Sequence, residues 1–282
     1  MELGNSLERR GYPLLVRGRK GHAKPASAAP GRLAGGRPAP KRRQNNKNMN
    51  TTFGLDRCFS FINCHLQTPK PVHGQQAANV KCITISRQSG CGAHVFAEEL
   101  AAFLQARTPP GTRPWTVFDR TLMEAVLQDH HLPARLAAFM PEDRVSRLND
   151  IIQELFSLHP PTETMVRQTA ETILRLAELG NVIILGRGAN IITAPMPQVL
   201  HVRLLGSVQQ RVAHMLQFDK LNRKDALKRI EREDGGRRRY LKKYFGREID
   251  DPLLYHLVIN TDLLSLHEAA VMVGKLALKS DR

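Results

Sequence analysis

The sequence has no hydrophobic run that approaches the roughly 20 residues of a membrane-spanning helix. It has only four cysteines, and none of them has the C-x-x-C spacing of a zinc site or a redox motif. A disulfide framework is therefore not expected, and the cysteine content favours a reducing cytoplasm. An export signal is not expected either, because Arg17 and Arg19 interrupt the apolar residues that follow Arg9-Arg10.

Acidic residues are scarce in the first 79 residues, which contain 14 Lys and Arg but only three Asp and Glu. The net charge of this segment is +11, whereas residues 80–282 have a net charge of +5. Residues 18–50 show no helical or strand period and cannot bury enough apolar surface to offset the entropy lost on ordering. We predict a disordered basic tail and linker over residues 1–79, or a translated upstream segment with the true start at Met49 or later. Nucleic acid would bind only weakly, through this tail.

Short apolar strands alternate with amphipathic helices from Val80 onward. Apolar and β-branched runs between turn residues predict five strands, at residues 81–86, 115–118, 181–185, 199–204 and 257–259. The spacing of apolar residues predicts helices at 95–105, 121–128, from 141, at 163–179, and after the capping box Ser265-Leu-His-Glu268. This alternation indicates an α/β fold with a doubly wound, five-stranded parallel sheet over residues 80–282.

The connection between the first strand and the first helix is rich in glycine. A helix N-terminus presents unpaired N–H groups and the positive end of the helix dipole, so a glycine turn that enters it can wrap an anionic phosphate. The predicted phosphate-binding residues are Ser86, Gly90, Cys91, Gly92, Ala93 and His94. The alternative is that the glycines serve only the turn between strand and helix, as they do in many α/β proteins.

Several motifs occur in an order that resembles one protein family. Ile85-Ser86-Arg87 and its glycine loop are followed by Phe118-Asp119-Arg120 after the second strand and by Gly186-Arg187-Gly188-Ala189 after the third. The later motifs in this order are Asp251-Pro252, Tyr255 and Asn260-Thr261. With these motifs, residues 80–280 resemble the cytidylate kinase-like family of P-loop proteins.

The resemblance implies a P-loop nucleoside monophosphate kinase type of fold, with a helical lid and acceptor-binding helices. It implies phosphorylation of a nucleoside monophosphate, most of all CMP or dCMP, by ATP or another nucleoside triphosphate in the presence of Mg²⁺. Nucleoside mono- and triphosphates would be the partners, and no membrane partner is expected. Arg187, Asp119 and Arg120 would bind the acceptor substrate, although Asp119 would alternatively only cap the helix that follows it.

The glycine loop departs from the general P-loop motif, which has Lys at position 93 and Ser or Thr at position 94. The lysine normally reaches the β- and γ-phosphates, and the hydroxyl normally binds Mg²⁺. This chain has Ala93 and His94 instead, and the family that it resembles also lacks the lysine. Arg87 is the candidate catalytic residue for the missing charge; the alternative is an exposed or helix-capping arginine. The sequence shows no obvious acidic Mg²⁺ ligand after a strand, so the metal ligands stay unassigned.

A basic segment over residues 227–243 contains the pair Gly235-Gly236. Such a pair would allow two short helices to hinge, as a lid requires. The resemblance assigns Arg237 and Arg239 as catalytic lid arginines, with Arg238 facing solvent and Asp234 as the candidate to orient one of them. Two other functions stay open, because the usual lysine is absent and the tail is basic. They are a catalytically weak nucleotide-binding regulator and an RNA-associated protein that uses the tail.

Overall fold

The computed structural model describes residues 80–109, 112–119, 140, 142–157 and 164–279. The strands are β1 (Cys82–Arg87), β2 (Thr116–Phe118), β3 (Val182–Leu185), β4 (Val199–Leu205) and β5 (Leu257–Asn260). They form one five-stranded sheet in the order β2-β3-β1-β4-β5, and every neighbouring pair is parallel. The predicted five-stranded parallel sheet is therefore confirmed. No end of a strand differs from its predicted position by more than one residue.

The central strand β1 is buried on both of its faces. Cys82 packs into the same apolar cluster as Val182 and Ile184, whereas Ile83 and Ile85 pack into a second cluster on the other side of the sheet. Successive side chains of a strand point to opposite faces, so a strand with two covered faces needs apolar residues at consecutive positions. The strand runs that the sequence analysis identified have this composition.

Seven helices accompany the sheet in the described residues. In chain order they are α1 (Ala93–Gln105), α2 (Glu142–Ser157), α3 (Thr164–Leu179), α4 (Ala189–Ile192), α5 (Val208–Phe218), α6 (Arg223–Phe245) and α7 (Leu266–Lys279). Helices α1 and α7 cover one face of the sheet through residues such as Phe96 and Val273, and α2 and α3 cover the other through Ile152 and Ile173. None of these helices is long and apolar enough to cross a membrane. The tail, Arg120 and the helix predicted at residues 121–128 lie outside the described residues.

Two predicted helix ends are confirmed by their hydrogen bonds. Ser265 and Glu268 form the capping box at the start of α7, because the Glu268 amide donates to Ser265 Oγ at 3.2 Å and the Ser265 amide donates to the Glu268 carboxylate at 3.2 Å. Gly180 ends α3 with a positive φ of 85°, and its amide still donates to the Leu176 carbonyl. Glycine adopts this left-handed conformation without a steric penalty, so the helix ends there.

Helix α6 runs without a break through Gly235-Gly236, so two short helices hinged at this pair are not what the structure contains. Ion pairs across the glycines explain the continuity. Glu233 contacts Arg229 at 2.9 Å and Arg237 at 3.2 Å, one turn on either side. Pairs at this spacing stabilise a helix, and here they offset the low helix propensity of glycine.

Replacing Gly236 with alanine should raise the free energy of unfolding by up to about 1 kcal/mol, the difference in helix propensity between the two residues. No atom lies within 4 Å of the Cβ that alanine would add at this position, so no clash offsets the gain. Urea unfolding of the wild type and Gly236→Ala measures the difference. A loss of stability in the variant would indicate that the helix bends at this pair in solution.

Candidate functional site

A cavity of about 650 Å³ opens at the carboxyl ends of β1 and β3. Strand β1 lies between β3 and β4, so the chain leaves β1 in one direction and later crosses to the other side of it. Open α/β sheets bind their ligands in the crevice at such a point. The loops that follow β1 and β3 line one side of the cavity, and α5 and α6 line the other.

The loop after β1 reaches α1 through two glycines in the left-handed conformation. Gly90 has a φ of 87°, and a Cβ on it would lie 2.7 Å from the Arg211 carbonyl oxygen, so only glycine fits. Gly92 has a φ of 68° and precedes α1 without any side-chain cap. The amides of Ala93 and His94 donate no hydrogen bond within the described residues. A helix N-terminus with open amides is suited to an anion, as the sequence predicted for this loop.

Ser89, in the middle of this loop, is held by two carboxylates of α6. Its amide donates to Asp234 Oδ1 at 2.7 Å, and its hydroxyl donates to Glu233 Oε2. Arg211 of α5 donates to the Ser89 carbonyl at 3.1 Å and contacts Asp234 Oδ2 at 2.6 Å. The buried Asp234 therefore joins the glycine loop to α5 and α6.

Arg87 extends from the end of β1 to the loop after β3. Its Nη1 atom lies so close to Gly186 that a Cβ on this glycine would be 2.0 Å away. Burial, together with the nearby Arg237 cation, lowers the pKa of the Arg87 guanidinium to about 10, so it stays charged at neutral pH. It forms no hydrogen-bonded ion pair with a carboxylate of the described residues. The residue is half-buried, and the carboxylates of Glu233 and Asp119 act on it without a hydrogen bond, so an anionic ligand is a partner that this geometry suits.

Arg187 lies in a tight turn between β3 and α4. Gly186, Arg187 and Gly188 have φ values of 79°, 58° and 69°, and the Ala189 amide closes the turn on the Gly186 carbonyl at 3.0 Å. A left-handed conformation is unfavourable for arginine, and such strain is found most often at functional sites. Arg187 lines the cavity and is near enough to contribute to the lowered pKa of Arg87.

Of the two predicted lid arginines, the structure brings one to the cavity. Arg237 lines it, and Asp234 holds this arginine at 2.9 Å in the orienting role predicted for that carboxylate. Arg239 is exposed, its Nη1 atom lies near Gly235, and it is not among the cavity-lining residues. At 100° per residue the two arginines point to nearly opposite sides of a continuous helix, which explains the difference. Arg238 is exposed, as expected.

The residues of α6 that line the cavity follow a helical period that the sequence analysis did not use. They are Arg229, Arg232, Glu233, Gly236, Arg237, Tyr240 and Leu241. Their spacing of three and four residues defines one face of the helix. The same spacing in the sequence could have predicted that Arg232 and Arg237, but not Arg239, face the cavity.

His94 and Asp119 form a pair at the rim of the cavity. The His94 Nε2 atom lies 3.1 Å from Asp119 Oδ2, and this hydrogen bond raises the pKa of His94 above its ordinary value. Both residues line the cavity, so Asp119 is at the predicted edge of the sheet. The helix that Asp119 would alternatively cap lies outside the described residues.

The cavity has two ends with different linings. At one end, beside the glycine loop, His214 Nε2 lies 3.2 Å from where a Cβ on Gly92 would be, and Asp219 and Arg229 pair at 2.9 Å. At the other end, Phe245 packs against Gly188, and α6 contributes Tyr240 and Leu241 to the lining. The cationic side chains of Arg87 and Arg237 lie between the glycine loop and the β3 turn.

The sequence model that describes the cytidylate kinase-like family matches residues 82–263 of this chain. The chain belongs to the cytidylate kinase-like family. Among solved structures, an uncharacterized protein from Eubacterium ventriosum is similar, with 20% sequence identity and a TM-score of 0.53. The match covers 70% of this chain and 97% of that one, and at this identity it concerns the fold alone. No curated protein matches the chain.

Kinases of this type use Mg²⁺ with the triphosphate, and this ion prefers oxygen ligands such as carboxylates. The described residues contain no group of three His, Cys, Asp or Glu side chains that could hold a metal. The carboxylates of the cavity have partners already: Asp119 contacts His94, Asp219 contacts Arg229, and Glu233 contacts two arginines. The described residues therefore do not form a metal site, and we assign no step to a protein-bound metal.

The pair of His94 and Asp119 should make the stability of this family member depend on pH. The pKa of His94 is raised in the folded state, so the stabilisation is complete below about pH 6.5 and is lost as the pH rises through the folded-state value. The stability difference between the wild type and His94→Gln should thus shrink from pH 6 to pH 8.5, by at most about 1 kcal/mol for so exposed a pair. Urea unfolding at each pH measures it, and a difference that grows with pH would contradict the assignment.

Proposed function

We propose that this chain transfers the γ-phosphoryl group of ATP, or of another nucleoside triphosphate, to a nucleoside monophosphate of the CMP or dCMP type. The observation that carries the proposal is Arg87, a largely enclosed cation without a carboxylate partner among the described residues, between the glycine loop and the Arg187 turn. Phosphoryl transfer depends mainly on positioning and on neutralising charge, and this arrangement supplies both.

The glycine loop is the proposed donor subsite. The open amides of Ala93 and His94 would hold the phosphates of the triphosphate, with Ser86, Gly90, Cys91 and Gly92 shaping the loop around them. Mg²⁺ would enter as the complex of the triphosphate, held by phosphate oxygens and water. Membership of the family and the scarcity of cysteine support a nucleotide-binding enzyme of the cytoplasm.

The turn after β3 is the proposed acceptor subsite. Arg187 would bind the monophosphate, with Asp119 and Arg120 at the same edge of the sheet. An oxygen of that monophosphate attacks the γ-phosphorus and forms a new P–O bond, while the bond between this phosphorus and the β–γ bridging oxygen breaks. The products are two nucleoside diphosphates. Arg87 and Arg237 would neutralise the negative charge on the transferred group, and Arg239 would act only if its side chain swings in from the solvent face.

A coupled assay of ADP formation tests the proposal. The purified chain is incubated with ATP, Mg²⁺ and one of CMP, dCMP or UMP, and the expected result is diphosphate formation above the background of ATP hydrolysis. A thermal-shift series with the same nucleotides measures binding separately, since a ligand at 100 times its dissociation constant stabilises by about 2.7 kcal/mol. The proposal would be overturned if no nucleotide supported transfer and no nucleotide produced a thermal shift.

A catalytically weak nucleotide-binding regulator is the second candidate, and the residues at positions 93 and 94 favour it. Ala93 cannot contact the β- and γ-phosphates as a lysine does, and imidazole is a poor ligand for Mg²⁺. A regulator would bind nucleotides in the thermal-shift series without transferring phosphate. In that case the double substitution Ala93→Lys with His94→Ser should create activity, whereas in an active kinase it should help little.

A further inference from the structure

Asn190 has a side-chain amide nitrogen that forms no hydrogen bond with the described residues. The residue lies in α4, three positions after Arg187, and its side chain is only 5% exposed and lines the cavity. Its Nδ2 atom has no hydrogen-bond partner in the described structure. A buried donor without a partner loses its hydrogen bonds to water and receives nothing in return, so such groups are rare unless a ligand satisfies them.

The cavity that Asn190 lines also has apolar and aromatic residues in its wall. Tyr240, Leu241 and Ile249 line the same cavity, and Leu241 and Ile249 pack in one cluster with Ile191, the neighbour of Asn190 in the chain. Arg187, three residues before Asn190, and Arg87 are the cations that would attract the phosphate of a nucleotide. The uncharged amide of Asn190, in a cavity that an aromatic ring also lines, is instead suited to a flat heterocycle on the same ligand.

We propose that Asn190 recognises the base of the acceptor nucleotide by donating from Nδ2 to an acceptor atom on its edge. A cytosine presents such acceptors at its ring nitrogen N3 and at its carbonyl O2. The inference rests on the proposed function, because it assumes that a nucleoside monophosphate occupies the end of the cavity next to Arg187. It adds a residue that determines base preference.

Asn190→Leu tests this inference because a structural role and a recognition role predict opposite results. The substitution removes a buried, unpaired donor and keeps a branched side chain, so the melting temperature of the ligand-free protein should be unchanged or higher. The affinity for CMP, measured by calorimetry, should fall about tenfold, as expected for one lost hydrogen bond to a ligand. Asn190→Ala should show the same loss and guards against a leucine that is too large for the site.

Thr193→Val, at the C-terminal cap of the same helix, is the matched control. Thr193 is fully buried, its hydroxyl donates to the Ala189 carbonyl at 2.7 Å, and it is not among the residues that line the cavity. This change should lower the melting temperature and leave the CMP affinity unchanged. Asn190→Leu should thus weaken CMP binding without a loss of stability, whereas Thr193→Val should lower stability without weakening CMP binding.

Ribose 5-phosphate, which lacks a base, separates recognition of the base from recognition of the phosphate. Both Asn190 variants should bind it as the wild type does. Equal losses for ribose 5-phosphate and CMP would overturn the assignment to the base, and so would an unchanged CMP affinity or a strong loss of stability in both Asn190 variants. If the wild type binds no nucleoside monophosphate at all, the proposed function itself fails, which the wild-type titration reveals without any variant.

Discussion

Replacing Asp234 with alanine should lower the free energy of unfolding by about 3–5 kcal/mol, the cost of leaving a buried partner charge uncompensated. The carboxylate is nearly inaccessible and contacts Arg211 at 2.6 Å, Arg237 at 2.9 Å and the Ser89 amide at 2.7 Å. Arg211 is itself buried and would retain only the Ser89 carbonyl among these partners. Urea unfolding of the wild type and the variant measures the loss.

Glu231→Ala is the control for Asp234→Ala. Glu231 lies in the same helix α6, three residues earlier, and its side chain is exposed. Its removal should change stability by less than about 0.5 kcal/mol, as for most exposed positions. A loss below about 1 kcal/mol in Asp234→Ala would mean that the contacts between the glycine loop, α5 and α6 are weaker than their geometry indicates.

Replacing Arg87 with methionine should reduce phosphoryl transfer, or the affinity for the triphosphate, by about ten- to a hundredfold. A charge-assisted hydrogen bond contributes about 1.5–3 kcal/mol, which corresponds to this range. The fold should not suffer, because methionine fills the space beside Gly186 without the cost of burying an unpaired cation. The coupled assay measures the transfer rate, and thermal unfolding measures the stability.

Arg238→Met is the matched control for Arg87→Met, since it makes the same chemical change on the solvent side of α6. Arg238 is exposed and lies 3.5 Å from the equally exposed Asp250. The variant should transfer phosphate at the wild-type rate. A wild type that transfers phosphate and an Arg87→Met variant that transfers it equally well would contradict the role proposed for Arg87.

Asp234→Ala and Arg87→Met test different parts of the same cavity. Asp234 and Glu233 fix the glycine loop and Arg237 relative to each other, so they prepare the cavity before any ligand enters. Arg87 and Arg187 are cations that line this prepared cavity. A site of this kind can stabilise developing charge without rearranging during the reaction. In the proposed function, arginines from other elements compensate for the absence of lysine at position 93.

Local patterns were sufficient to predict the class of fold and most of its elements. The strands could be predicted because a parallel strand with two covered faces needs a short continuous apolar run, as at residues 82–85 and 182–185. The caps at Gly180 and Ser265 involve residues close in the chain, so their geometry follows from the sequence nearby. The turn at Gly90 and Gly92 could be predicted for the same reason, because its geometry depends on the residues within the turn.

The tertiary structure decided which charged side chains share the cavity. Arg87 contacts Gly186, and the Ser89 amide contacts Asp234, across about 100 and 145 residues of chain, and no local pattern encodes such pairs. Likewise, Asn190 belongs to no motif of phosphate chemistry, and only its burial without a partner distinguishes it. The sequence by itself determined the sheet and the glycine loop that enters α1, since these depend on neighbouring residues. The set of groups around the ligand depended on how distant elements pack, because burial and pairing are properties of the folded chain.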